Sequence, residues 1–466
     1  MYDAIVVGAG VTGLSAAALL SEKHNVLVIE KNSFVGGRAA TRTPKEWNWA
    51  NVDNYRVDFG HHVFATNNYI EFIIKKTGAY KHANIKLVKM PYFYRFGKFH
   101  KPPVGILEQI RAYPFIPFRS KLKLNKFMKY VQKVSYDEVK EKWFYRPLID
   151  LYDEFDFDEY GRELFTDGFA AGYQTIADVH RNSAGDLILC MKAFQKGIKK
   201  YKTPLFAAEG GVGRISEAFK KVIEENGSKV LLNKNVKEII VKNGEAKGVI
   251  LDDEKTLEAK RILFTAPVYF LLGLIDEKEM PEDFKERLEK AKEYSTSLFL
   301  IMGGAKRPLL NKPVGTWILI PKTEVKNINS YYLVYELDRE LKQMPEDRYY
   351  ISFATMPSKD DLKDRNALIK KMINDLSPIF PDFDFERDFE WFSAQYFSIV
   401  DALERTIDWY YERRFGPSTP IKNLYVAGDS AHELSSGVDG CASSAIFAVE
   451  EITGEKLLDL NEFYRI

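Results

Sequence analysis

The chain has 466 residues, of which 45% are hydrophobic and 29% charged, and its formal net charge is +1. That length exceeds what one core usually supports and points to two joined domains, while the near-neutral balance supplies no global field for nucleic acid or an acidic partner. Two cysteines, Cys190 and Cys441, exclude a disulfide framework and fit a reducing cytoplasm.

Residues 2–7 (YDAIVV) predict a buried strand, entered with no basic leader or cleavage site, so no secretory signal is expected. A glycine turn, the helical run LSAAALLSEK and the strand VLVIE (26–30) complete a βαβ opening. Residues 50–64 and the approach to 90 carry no clear period. From about 90 to 205 aromatics, Lys and several prolines predict short helices and loops in a separate, mostly helical layer. The α/β pattern returns at Glu209, with the helix ISEAFKKVIEEN, a hairpin turning at Asn243-Gly244, and the strand RILFTAP (261–267). The mainly apolar stretch near Ile262–Ile275 contains Pro267 and falls short of the ~20 residues that span a bilayer, although surface contact stays open. Residues 268–415 alternate strands (SLFLIMGGA, GTWILIP, YYLVYEL, RYYISFAT) with charged amphipathic helices, which suggests a second sheet. NLYVAGD (423–429) reads as the last strand and Asp439–Thr453 as the last helix.

Gly8, Gly10 and Gly13 form G-x-G-x-x-G between strand and helix, enclosing Val11 and Thr12. The first glycine permits a tight turn, the second lets backbone approach a pyrophosphate, and the third lets helix and strand pack closely. The helix N-terminus offers unpaired N–H groups to the phosphates. Glu30 ends the second strand, where a carboxylate accepts from an adenosine ribose and repels a 2′-phosphate. Just beyond, Lys31 leads to Gly36, Gly37 and Arg38, whose guanidinium can bond a pyrophosphate. A simple nicotinamide dehydrogenase has no use for that second segment, so it points to a flavin.

Together VVGAGVTGLSAAALL, VIEKNSFVGGRAATRT and VDFGHHVF resemble the superfamily of phytoene desaturases, protoporphyrinogen oxidases and flavin amine oxidases, in style nearest the phytoene desaturase-like proteins. AEGGVGRISEAFKKVIEENGSKVLLNKNVKEI and STPIKNLYVAGDSAHELSSGVDGCASSAIFAVEEI are similar to its internal and C-terminal motifs. The resemblance implies an α/β protein: a Rossmann-like FAD domain of the glutathione-reductase type (1–75, 205–267 and 416–466) with an inserted sheet-plus-helix substrate domain (76–204 and 268–415). It implies non-covalent FAD, with the backbone of Val236 at the adenine and Asp429, after Gly428, accepting from a ribityl hydroxyl. Gly437, Val438, Asp439 and Gly440 lead into a helix whose positive end would face the flavin edge that gains charge on reduction. Cys441, in that first turn, reads as a packed small residue.

In such proteins a substrate C–H gives hydride to the flavin, and no catalytic base is obligatory. Gly60, His61 and His62 fall where the family's chain approaches the ring, so either histidine can bond the flavin, act as acid/base or be structural. Val438 stands where amine oxidases would be expected to carry an aromatic, which weakens an amine reading, and Lys312 reads as a surface residue despite its place near the amine oxidases' flavin-facing lysine. Three classes therefore stand: hydride removal from a hydrophobic isoprenoid or porphyrinogen, with amine oxidation as its alternative; redox-neutral catalysis like that of UDP-galactopyranose mutases, suggested by FGHHVFATNN; and a non-enzymatic flavoprotein scaffold. No second G-x-G-x-x-G is present, which argues for oxygen, a quinone or another carrier as acceptor. No metal cluster is expected.

Residues 90–130 hold nine Lys/Arg against one acid, Glu108, interleaved with ten aromatics. Two readings are open: a solvated basic face over an aromatic core, or a peripheral membrane surface that meets anionic headgroups and admits a lipid-soluble substrate.

Overall fold

A computed structural model of the chain describes residues 1–60, 62–101, 113–174, 176, 178–311 and 317–466. The expected opening unit is β1 (Ala4–Val7), α1 (Val11–Leu20) and β2 (Val26–Ile29), followed by α2 (Tyr69–Lys76). β3 (Tyr92–Arg95) and β4 (Lys98–His100) form a hairpin, then α3 (Phe118–Lys133) and α4 (Ala184–Tyr201) belong to a helical layer. Next come α5 (Gly213–Glu225), β5 (Lys229–Leu231), the pair β6 (Val236–Lys242) and β7 (Glu245–Leu251), and β8 (Ile262–Phe264). β9 (Leu298–Ala305), β10 (Trp317–Ile320), β11 (Tyr332–Glu336), β12 (Tyr349–Thr355) and β13 (Phe389–Phe397) follow, and β14 (Leu424–Val426) with α6 (Gly437–Thr453) ends the architecture.

The first sheet has the order β5-β2-β1-β8-β14, and every neighbouring pair is parallel. β1 and β2 are buried along their whole length because α1, α5 and α6 cover one face of the sheet and the β6–β7 pair with residues 268–291 covers the other, which is why their sequences are continuous apolar runs. The last strand therefore lies two places from the first, and the carboxyl ends of β1, β2, β8 and β14 share one edge. The alanine-rich α1 packs against α5 and α6, whose Ala442, Ala445, Ile446 and Val449 are buried as the helical spacing requires.

The second sheet has the order β13-β9-β12-β11-β10-β3-β4, antiparallel except where β10 meets β3. Its strands are apolar on both faces. Phe299, Ile301, Val334 and Phe353 face one core with the helix Arg365–Leu376, while Leu300, Leu319, Leu333 and Ala354 alternate to the other side.

Three expectations are corrected. The segment opening the presumed helical layer is the β3–β4 hairpin, because Tyr-Phe-Tyr-Arg suits a pleated, half-buried edge better than a helix. Long helices between the strands of the second sheet are fewer than expected: Glu282–Ala291 precedes it and Arg365–Leu376 crosses it, with turns elsewhere. The last helix starts at Gly437, two residues before Asp439. Among the described residues no helix is long and apolar enough to cross a membrane, and 262–275 divides into β8 and a 3-10 turn.

Candidate cofactor and substrate cavity

A cavity of about 850 Å³ begins at the shared strand edge and runs beneath the second sheet. Gly8 after β1, Glu30 after β2, Thr265 after β8 and Asp429 after β14 line one end; Phe93, Leu300, Leu319, Leu333, Tyr335 and Ala354 line the other. Open α/β sheets bind ligands at such an edge, outside the carboxyl ends of their strands.

The three glycines of the first turn have different reasons. Gly8 has φ +107°, which L side chains rarely adopt. A Cβ on Gly13 would stand 2.0 Å from the Gly8 carbonyl oxygen, so internal packing demands its bareness, and Gly13 lies behind the cavity wall. A Cβ on Gly10 would meet no protein atom within 4 Å, and its φ is an ordinary −72°. Nothing in the protein itself requires glycine there; the space it keeps open belongs to the cavity. Gly10 is also the N-cap of α1, with no capping side chain and no acid in the first turn, so the orphan N–H groups beside Val11 and Thr12 stay available.

Glu30 is 6% exposed. One carboxylate oxygen accepts from Ala9 N (2.8 Å) and the other from Asn32 N (2.9 Å) and Nδ2 (2.7 Å), which pins the loop after β2 against the glycine turn. Lys31, Lys234 and Asn235 line the rim beside it, and Val236, buried at the start of β6, closes that end.

Gly36 and Gly37 bring backbone alongside Gly10 through left-handed φ values of +105° and +54°. Arg38 follows, but its guanidinium grips Asp429 in a two-pronged pair, Nη1–Oδ2 and Nη2–Oδ1 both 2.7 Å, and Nη1 also donates to Val400 O. Asp429 accepts further from Ala402 N at 2.8 Å. Burial alone would raise the Asp429 pKa; the adjacent Arg38 charge and its hydrogen bonds outweigh burial and hold the carboxyl below the usual range. Behind it Arg405 and Arg414, both fully buried, bind Glu433 and the carbonyls of Leu403, Glu404, Asp429 and Ser435, which fixes the loop into α6.

That loop needs two unusual conformations: Gly428 at φ +120°, packed near Thr12 and Thr265, and Ser435 at φ +77°, a strained value for a residue with a Cβ. Ser435 Oγ accepts from Tyr173 Oη and Asn68 Nδ2, which hold it in place. Gly437 and Val438 then line the cavity at the start of α6. Asp439 also touches the cavity, yet its carboxylate accepts from Ala65 N (3.1 Å) and Ile70 N (3.2 Å) and so ties α6 to the start of α2. Burial pushes its pKa up to about 7. Cys441 lines the cavity with a thiol raised to about 12 by burial and by Asp429 and Glu433, which keeps it protonated and a weak nucleophile.

His62, 2% exposed, also lines the cavity. Its Nδ1 lies 2.9 Å from Asp58 Oδ2, and its ring packs edge-on to Tyr335. Asp58 is completely buried and accepts from Thr41 Oγ1, Val212 N and Gln343 Nε2. With Nδ1 engaged, proton exchange with the cavity falls to Nε2. Gly60 borders the same wall; His61 and Lys312 lie outside the described residues.

Sequence reasoning missed Lys234, Asn235, the Thr265–Pro267 segment, and an aromatic wall in which Phe59 meets Trp47 and Phe397 at ring distances of 5.2 and 4.5 Å. Lys234 and Asn235 directly precede the flagged Val236 and could have been found; Phe59 comes from the stretch 50–64, which carries no clear period.

A family model described as flavin containing amine oxidoreductase matches residues 11–453. The chain belongs to that family. Among its relatives, Rab GDP dissociation inhibitor beta of Rattus norvegicus is 23% identical over 437 residues, 87% of this chain and 92% of the relative. An oxidoreductase from Methanosarcina mazei has a similar crystal structure, with TM-score 0.74, 19% identity, and coverage of 96% of this chain and 99% of that one. Putrescine oxidase bound to putrescine gives TM-score 0.67 at 16% identity, covering 97% and 99%. At such identities the structural likeness speaks for the fold. Membership in the flavin amine oxidoreductase family implies a flavin, and the residues fit one: the bare Gly10, the uncapped first turn of α1 and the cavity's reach from strand edge to second sheet form a cradle that internal packing does not explain.

Proposed function

We propose that this protein is an FAD-dependent oxidoreductase that removes hydride from an apolar, uncharged substrate, with desaturation of an isoprenoid-like chain as the leading chemistry. The glycine turn, Glu30, Lys31, Gly36, Gly37, Arg38, Gly60, Val236, Asp429, Gly437 and Val438 would hold the dinucleotide without a covalent bond. Bound FAD would supply the hydride acceptor. The chain's own part is to exclude water, orient the substrate, and offer His62 Nε2, whose ring Asp58 fixes, to take the proton that leaves the neighbouring carbon as the double bond forms.

One observation carries the substrate reading. The cavity under the second sheet is walled by Phe93, Leu300, Leu319, Leu333 and Ala354 with tyrosines between them; of its carboxylates, Glu30 and Asp429 belong to the strand-edge loops, Asp439 to α6, and Asp401 to the segment that follows β13, so none stands on a strand of that sheet. A protonated amine entering that chamber would lose its hydration with no carboxylate on the sheet to replace it, whereas an apolar chain loses nothing.

The Rab GDP dissociation inhibitor relatives favour a second reading, a binding protein on the same fold. Anaerobic titration of the purified yellow protein separates the two. Bleaching of the flavin by a polyene or a porphyrinogen supports the proposal, and bleaching by amines alone replaces the substrate class. A flavin that dithionite reduces but no candidate donor does speaks for the binding protein.

A further inference from the structure

We infer that the tip of the β3–β4 hairpin and the first half of α3 form a surface that docks on an anionic lipid bilayer. Three large apolar side chains project there: Phe96 is 55% exposed, Phe118 66% and Leu122 54%. Phe118 and Leu122 are one turn apart on α3, and the Phe96 ring meets Phe115, three residues before Phe118, at 5.6 Å.

Phe96 is exposed against local preference. With Gly97 it makes the two-residue turn between β3 and β4, at φ +52° and +70°, where Asn or Gly would be unstrained. Its N–H donates to Glu324 Oε1, and the Arg95 guanidinium lies 4.1 Å from its ring centre, so the aromatic is held at the outermost point of the hairpin. Strain retained to present a bulky ring to solvent points to a use outside the fold.

The charge on α3 has one sign. α3 contains Arg119, Lys121, Lys123, Lys126, Lys129 and Lys133 and no acid, and turns Phe127 and Val131 inward. Of the neighbouring carboxylates, Asp156 pairs with Lys123, Glu163 and Glu324 pair with Arg95, and Asp158 accepts from Ser120 Oγ and Gly161 N, so six cations of α3 face four acids at its base. Cations along a surface helix, with apolar side chains protruding at one end, match headgroup phosphates above acyl chains. A nucleic acid would use the cations but gain little from three projecting apolar groups. Phe93 of β3 and Tyr113 line the cavity, so this surface is the outer side of the chamber's own wall.

Co-sedimentation of the full protein with vesicles tests the inference, and it needs no redox chemistry, so its failure would leave the proposed reaction untouched. Binding is expected to phosphatidylcholine vesicles containing phosphatidylglycerol, much less to phosphatidylcholine alone, and to weaken with salt. The triple variant Phe96→Ser, Phe118→Ser, Leu122→Ser and the triple variant Arg119→Glu, Lys126→Glu, Lys129→Glu should each weaken it by about tenfold or more, with unfolding midpoints unchanged. Absence of binding to the mixed vesicles, binding that neither triple variant weakens, or binding that duplex DNA abolishes while the serine variant leaves it intact overturns the inference.

Discussion

Arg38 and Asp429, 391 positions apart, are joined by two 2.7 Å hydrogen bonds across the cavity wall. The pair closes the loop after β2 onto the loop after β14, so the two ends of the chain share one ion pair. Asp429 is nearly buried, with its side chain 7% exposed, whereas Arg38 keeps 35% of its side chain accessible.

Removing the cation strands the carboxylate. Arg38→Ala is expected to cost about 2–3 kcal/mol, reduced from the range for fully buried pairs because Arg38 is partly exposed. Since the folded Asp429 pKa is depressed, the stabilisation is present above the unfolded carboxyl pKa of about 3.9 and is lost as pH falls through the lower folded value. Urea unfolding of wild type and variant at neutral and acid pH checks this: the gap should narrow on the acid side, and a gap independent of pH would refute it.

The glycines of the first turn should separate folding from binding. Gly13→Ala drives a methyl into the Gly8 carbonyl and should lower the thermal midpoint markedly. Gly10→Ala meets only open space, so the midpoint of the flavin-free protein should hold while flavin affinity, read by fluorescence quenching, falls at least about tenfold. Unaltered flavin affinity in Gly10→Ala would remove the reason given for that glycine.

Asp439 makes stability depend on pH in the opposite sense. The folded protein keeps this proton up to about pH 7, while the unfolded chain releases it near about 3.9. The folded state therefore binds more protons in that interval, and the group's contribution falls as pH rises from about 4 to about 7. Asp439→Asn starts lower, because its amide cannot accept from both Ala65 N and Ile70 N, but it lacks this slope. Unfolding midpoints of the two proteins should converge toward pH 7; a constant separation would show that Asp439 is ionised throughout.

For His62, substitution by Asn keeps a polar group of similar reach but removes the ring nitrogen that can take a proton. If Nε2 takes a proton during hydride removal, anaerobic flavin reduction should slow by about 10²-fold or more, with flavin content unchanged. Asp58→Asn should act in the same direction and more weakly, through ring orientation. A reduction rate equal to wild type leaves His62 a packing residue.

Legibility followed the range of the interactions. Gly8, Gly10, Gly13 and Glu30 could be read because turn, helix and second strand are consecutive and each residue type answers a backbone requirement. Gly-Gly-Arg points to a phosphate but says nothing of Asp429, whose approach to Arg38 depends on β14 pairing beside β8. Asp439 lines the cavity, and its bonds to the backbone N–H groups of Ala65 and Ile70, around α2, are revealed by no spacing within the C-terminal motif. β3 is hidden among the prolines and lysines that flank it, and it acquires strand identity by pairing with β10, more than 200 residues away.

By itself the sequence determined the nucleotide cradle and the alternation that makes both faces of the second sheet apolar, since these arise from neighbouring residues and a period of two. The tertiary structure alone decided which of those apolar faces lines a chamber, which carboxylate meets Arg38, and that Phe96 points outward. Those outcomes depend on strand order and on loops meeting across the fold, and contacts between distant segments leave no periodic trace in a single chain.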